Sequence, residues 1–255
     1  MTLFSETQKT AIIAELRANR LVLAGSPYFQ AAKLSDDYLY RKLLAAEADA
    51  ARRLRVLFEP TTIFAGQPTA EEIAALGDAP WLEEPGYDYD PDMYSGDRWA
   101  LISTRQAPII SISKYEYLFP TPVISRFVVP PEWLRVDKKY GQIRVVPSGA
   151  SGGSPVSLFL MQSMGGGRSV PQMIHLRYVA GLANAARDFP DLMDLIQKMA
   201  VLRIIEDAFV PQSGSISADG LSRSFSADAA KFAARVDDQL EALRQSLHGI
   251  RCMVM

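Results

Sequence analysis

Residues able to do chemistry are sparse in this chain: two histidines and one cysteine occur among 255 residues. His175 lies in Met-Ile-His-Leu-Arg-Tyr, on the polar phase of an alternating pattern, with no Asp or Glu at metal-ligand spacing. His248 ends an amphipathic stretch, where a cation compensates the negative end of a helix dipole. No HExxH or CxxC spacing occurs, and the GxSxG spacing at 149–153 falls in a flexible Gly/Ser-rich run, so no nucleophile–base pair announces itself. The glycines of Ser-Met-Gly-Gly-Gly-Arg-Ser (163–169) could wrap a phosphate with backbone N–H groups. A P-loop, however, needs a Lys-Ser/Thr pair opening a helix, and here a proline and a strand pattern follow, so the segment reads as a hairpin tip. The Gly/Ser-rich run 147–155 reads as a loop. Asp88, Asp90 and Asp92 alternate like the start of a calcium loop but lack its glycine and its closing glutamate. Glu206 and Asp207 point about 100° apart on a helix, and Asp207 lies four residues after Arg203, so an ion pair is expected there. The expectation is a protein without catalysis, cofactor or metal.

The elements around these residues are more legible. Net charge is −2, so no global basic field recruits nucleic acid or anionic membrane. The single Cys252 excludes an intrachain disulfide framework and fits a reducing compartment. The first twenty residues lack the order of a signal peptide, and no apolar run is long enough to span a membrane. Helical spacing marks residues 7–23. It is clearer in Ser35-Asp-Asp-Tyr-Leu, where Ser35 can cap a helix carrying Leu39, Leu43, Ala46, Ala50, Leu54 and Leu57, with Pro60 as the stop. Thr69 and Gly77 bracket a short helix. The acidic, aromatic, proline-containing stretch 79–97 reads as an exposed loop.

β-branched and aromatic residues with proline and glycine breaks then fill the middle, including 99–119, 126–148, 156–164 and a last strand in 173–182. This predicts a small region of about five strands. Asp188 can cap a helix over 189–209 that is apolar nearly all round and therefore central. A final helix over 227–248 carries Phe232, Val236, Leu240, Leu243 and Leu247, with Gly249 at its C-terminus. The fold class predicted is α+β: a helical bundle (N-terminal helices plus two long C-terminal helices) with an inserted small antiparallel β region. Residues 1–64 and 185–255 form the helical domain, with an extended arm at 211–227. Residues 65–184 form the acidic loop and the β-rich insertion.

This order of parts resembles the head–tail connector (adaptor) proteins of long-tailed bacteriophages. The resemblance runs through Ser-Asp-Asp-Tyr-Leu-Tyr-Arg-Lys-Leu-Leu-Ala-Ala-Glu-Ala-Asp-Ala-Ala-Arg-Arg-Leu, the "P-I-I-S-I" strand of 99–119, the 133–147 hairpin, Tyr-x-Ala-Gly at 178–181 and the helix that begins after a proline at 189–209. It covers roughly residues 34–226. The acidic loop, the glycine-rich insert and the terminal helix depart from the family as additions.

The resemblance implies a non-enzymatic structural component of the virion, located at the head–tail junction after assembly in the host cytoplasm. It implies a homo-dodecameric ring between the portal protein and a tail or neck protein. DNA passes through its lumen without sequence-specific binding, and no membrane is involved. A near-neutral ring suits such a conduit, because strong phosphate attraction would stall the duplex. The alternatives are a tail-completion or baseplate structural protein and a phosphate-ligand-binding enzyme using 163–169. The serine-rich stretch 211–228 also contains Ile216, Leu221 and Phe225, and connectors carry an extended arm here. Ile216, Leu221, Arg223, Phe225, His248 and Arg251 are the expected inter-subunit or partner contacts. The arm is expected to be loop-like in the isolated chain.

Overall fold

The computed structural model describes residues 3–4, 6–25, 34–94, 99–119, 126–146, 169–208, 213–218, 221–226 and 229–248. Two units emerge, one from Met1–Arg55 with Asn184–Met255 and the other from Val56–Ala183.

The first unit is helical. Helices α1 (Glu6–Ala18), α2 (Arg20–Gly25) and α3 (Asp36–Leu54) come from the N-terminal part. Helices α5 (Ala185–Asp188), α6 (Pro190–Ala208) and α7 (Ala229–His248) come from the C-terminal part. The Ser35 hydroxyl accepts the Tyr38 N–H as the N-cap of α3, a bond worth about 1 kcal/mol. Leu39, Leu43, Ala46, Ala50 and Leu54 are buried along one stripe of α3. The helix closes at Arg55 in the left-handed region, well before Pro60, so Leu57 belongs to the other unit. Helix α6 is central: it packs on α2, α3 and α7, which is why Leu192, Leu195, Ile196, Ala200, Val201 and Ile204 are all buried. Helix α7 turns Val236, Leu240, Leu243 and Leu247 inward against this same unit.

Local expectations fail here where tertiary partners compete. Asp188 does not cap α6, since its carboxylate accepts from Arg187 and the helix opens on Pro190. The predicted Arg203–Asp207 pair is absent. Because α6 lies against α3, Arg203 pairs with Asp49 at 3.2 Å and Asp207 with Lys42. Asp207 also accepts the Tyr38 hydroxyl at 3.0 Å, and burial followed by this contact pushes the Tyr38 phenol up to about 12.

The second unit is built mainly of β-strands. A six-stranded sheet runs β2-β1-β9-β5-β6, using β1 (Thr61–Ala65), β2 (Trp81–Glu84), β5 (Ile109–Leu118), β6 (Arg126–Val128) and β9 (Val170–Ala180). Strand β3 (Tyr87–Tyr89) also pairs with β9, along the half that β1 leaves free. A three-stranded sheet runs β4-β8-β7, from β4 (Leu101–Ser103), β7 (Leu134–Asp137) and β8 (Gln142–Val145). Period-2 alternation puts Ile63, Tyr115, Tyr117, Ile174, Leu176 and Tyr178 of the larger sheet into one core with Ile102, Trp133, Ile143 and Val145. Helix α4 (Ala70–Leu76) connects β1 to β2, and Thr69 and Glu72 form a reciprocal capping box at its start.

The expected helical bundle with a small antiparallel insertion is therefore incorrect. Among the described residues the chain is mixed α/β, with seven helices, sheets of six and three strands, and a parallel β1–β2 pairing. The stretch read as an acidic loop supplies β2 and β3. Trp-Leu-Glu-Glu is an exposed edge strand with no buried face, and Tyr-Asp-Tyr is too short to display a period. Pro80 and Pro85 flank β2, where a missing N–H costs no ladder bond. The predicted strand in 156–164 and the glycine-rich runs lie outside the described residues, apart from Ser169. No helix among the described residues is long and apolar enough to cross a membrane.

Candidate assembly interface

Between α6 and α7 the chain forms two further strands, β10 (Ser213–Ala218) and β11 (Leu221–Ser226). They pair antiparallel as a sheet of their own. Ala218 faces Leu221, so two residues separate the strands, and in sequence these are Asp219-Gly220. Asp-Gly at two-residue spacing is the strongest short-range hairpin signal, because both positions tolerate positive φ. The described residues 213–218 and 221–226 are hydrogen-bonded to each other rather than loop-like.

The register sorts its residues by face. Gly214 pairs with Phe225, Ile216 with Arg223 and Ala218 with Leu221. Directly opposed residues share a face, and so do residues two apart. Gly214, Ile216, Ala218, Leu221, Arg223 and Phe225 therefore define one face, and Ser213, Ser215, Ser217, Ser222, Ser224 and Ser226 the other. By register, four expected contact residues, Ile216, Leu221, Arg223 and Phe225, fall on the same face of the strand pair. His248 stands apart as the last residue of α7, and Arg251 lies outside the described residues. An isolated two-stranded hairpin is marginal in water, and neither outer edge has a strand partner among the described residues.

Ionisable groups are buried in the larger sheet. Arg177, on β9, is only 5% exposed. Its guanidinium binds both Glu72 oxygens at 3.1 and 3.2 Å. It also donates to the Ala65, Gly66, Gln67 and Leu176 carbonyls and lies over the Phe64 ring. Glu116 is buried between Lys114 at 3.0 Å and Arg126 at 3.3 Å, and its strand partner is His175. The His175 ring packs against Gly66 and Gly86, where added Cβ atoms would come within 2.3 and 3.1 Å of it. Burial, then the Arg177 charge, holds this imidazole below its ordinary range. Among the described residues no His/Cys/Asp/Glu group has metal-site geometry. The Glu116–His175 pairing spans two distant segments, so linear spacing could not expose it.

These carboxylates make the fold acid-sensitive. Burial pushes Glu72 up, but the Arg177 hydrogen bonds, the Thr69 N–H and the nearby cations carry it below the usual carboxylate range. Asp194 is likewise lowered: burial raises it, while Lys198 and Gln239 more than offset this. Asp207 is lowered chiefly by the Lys42 hydrogen bond. A carboxyl whose folded pKa lies below its unfolded value stabilises the fold above the unfolded value, and that contribution disappears as pH falls through the folded one. The urea midpoint is therefore expected to fall steadily from about pH 5 downward. Glu72→Gln should flatten that decline. A midpoint independent of pH across this window would contradict the assignment.

The chain matches no family model and no curated protein.

Proposed function

We propose that this chain is a structural protein of a bacteriophage virion, a head–tail connector subunit that assembles as a ring between the portal and a tail or neck protein. The observation that carries this reading is the β10–β11 hairpin. It is a two-faced element inserted between the two long C-terminal helices, with Ile216, Leu221, Phe225 and Arg223 on one face and serines on the other. An apolar hairpin face flanked by open strand edges suits an arm that covers itself on a neighbouring subunit. The resemblance of residues 34–226 to connectors supplies the particular assembly.

Mixing the purified chain with the portal of the same phage and imaging by electron microscopy tests this. Rings on portals are expected with the natural chain. The Ile216→Asp/Phe225→Asp variant should lose them while keeping its helical circular dichroism and melting temperature. In parallel, a protease should cut residues 211–228 in the free chain and spare them in the ring. A chain that never associates with the portal, or a variant that builds normal rings, would sink the proposal. Rings found only on tail tubes would move the chain to the tail-completion class.

A further inference from the structure

We propose that the outward face of the three-stranded sheet docks on the acidic strip Glu71–Asp92 of a second copy of this chain. The face is defined by register: Leu101 pairs with Arg144, and Arg144 with Arg135, so an arginine sits directly opposite another arginine. Like charges so placed repel, and the sheet would be better off without the pair unless an anion covers it. Neither guanidinium has a carboxylate partner among the described residues; Arg135 reaches only the Glu132 and Leu134 carbonyls. Lys138 and Lys139 extend the positive charge into the β7–β8 turn. The single acid there, Asp137, is occupied with the Tyr140 N–H. A shallow groove of about 720 Å³ runs along this surface, bounded by Arg135, Asp137, Lys138, Gln142 and Arg144.

The occupant follows from complementarity within the same sequence. Residues 71–92 contain eight Asp or Glu and no Lys or Arg. Glu72 and Glu84 are committed to Arg177, Gln106 and Arg105, but Glu71, Asp78 and Glu83 are exposed and have no ion-pair partner among the described residues. Apolar exposure coincides with the charge. Of the six large hydrophobic side chains exposed among the described residues, Trp99 (47%) and Leu101 (37%) flank the basic face. Trp81 (38%) and Leu82 (42%) lie in the acidic strip. Exposed tryptophan and arginine beside opposite charges is the composition of a protein–protein contact, and a DNA backbone would leave the leucines and tryptophans unused. Two different patches on one chain make a heterologous contact, which propagates to a ring or filament. The inference refines the ring of the proposed connector, yet it is tested without a portal, so either can fail alone.

The test is sedimentation velocity of the full chain across a salt series. The natural chain should self-associate at low salt and dissociate as salt rises. Arg135→Glu/Arg144→Glu and Asp78→Lys/Glu83→Lys should each weaken association by about tenfold or more. An equimolar mixture of the two variants should restore it, because each supplies the charge the other lacks. Arg135→Gln/Arg144→Gln, which removes the repulsion, gives a smaller loss and guards against misfolding of the reversal. A natural chain that stays monomeric at low salt, reversals without effect, or a mixture that fails to recover would each overturn the proposal. So would duplex DNA binding that the Arg135/Arg144 variants lose while self-association is unchanged.

Discussion

Gly181→Ala is expected to destabilise the β unit by on the order of 4 kcal/mol, a large fraction of a typical domain's stability. Gly181, directly after β9, has φ of +120°, a conformation that L side chains rarely adopt. Strain alone would cost about 1–3 kcal/mol. Here the new Cβ would also fall 2.3 Å from the Glu59 carbonyl oxygen and 2.9 Å from that of Leu57. Both are backbone atoms, so no side-chain rotation relieves the collision. The surrounding chain is also fixed, because the Gly181 N–H donates to Pro108 and the Leu182 N–H to Leu57. Gly77→Ala separates the two effects: φ is +56°, but nothing lies within 4 Å of its added Cβ. That variant should lose only the strain, about 1–2 kcal/mol. Thermal unfolding of both checks the argument. Equal losses would mean that the close approach at Gly181 relaxes without cost.

Arg177→Met should cost nearly as much, about 3–5 kcal/mol by chemical denaturation. The substitution keeps the volume and the packing on Phe64 but removes every donor to Glu72 and to four carbonyls. Buried acceptors then lose both water and protein partners, and Glu72 keeps a charge with only Thr69 and Lys114 near it. Arg177→Lys retains the charge but not the planar fork that meets Glu72 with two parallel bonds, so it should recover about half of the loss. Glu72→Ala removes the partially exposed member and should cost less than Arg177→Met. If Arg177→Met melts with the natural chain, the network is incidental to stability.

Where the chain signals through local chemistry, the sequence was a good guide. Ser35, Asp36 and Asp37 announce α3 because a cap and a dipole act within one turn. Thr69 and Glu72 announce α4 for the same reason. The β7–β8 hairpin is visible from Gly141 and the alternation on either side of it. Asp219-Gly220 is an equally local hairpin signal, which the expectation of an extended arm that is loop-like in isolation does not use. The rest depends on distant partners. Nothing near Arg177 shows that a strand arginine will be buried by Glu72, which lies 105 positions away. Nothing near β2 shows that Trp-Leu-Glu-Glu will add in parallel to β1, since an edge strand buries little and needs no hydrophobic period. The fold departs from the expected class for that reason: a short edge strand such as β2, with no buried face, adds to the sheet without adding to the pattern. The β10–β11 register, which places Ile216 opposite Arg223 and Gly214 opposite Phe225, is likewise not readable from composition.

The Leu182–Leu57 hydrogen bond and the Gly181–Glu59 approach join the two ends of the β unit to each other. The guest therefore enters and leaves its host through one doorway. A pull along the chain from α3 to α5 would meet that clasp first, and while the clasp holds, the strands beyond it carry no tension. Load would pass the sheets by, as current passes a branch that has been short-circuited. The same doorway makes the unit exchangeable in evolution, because replacing everything between Val56 and Ala183 asks only that the newcomer's ends lie side by side.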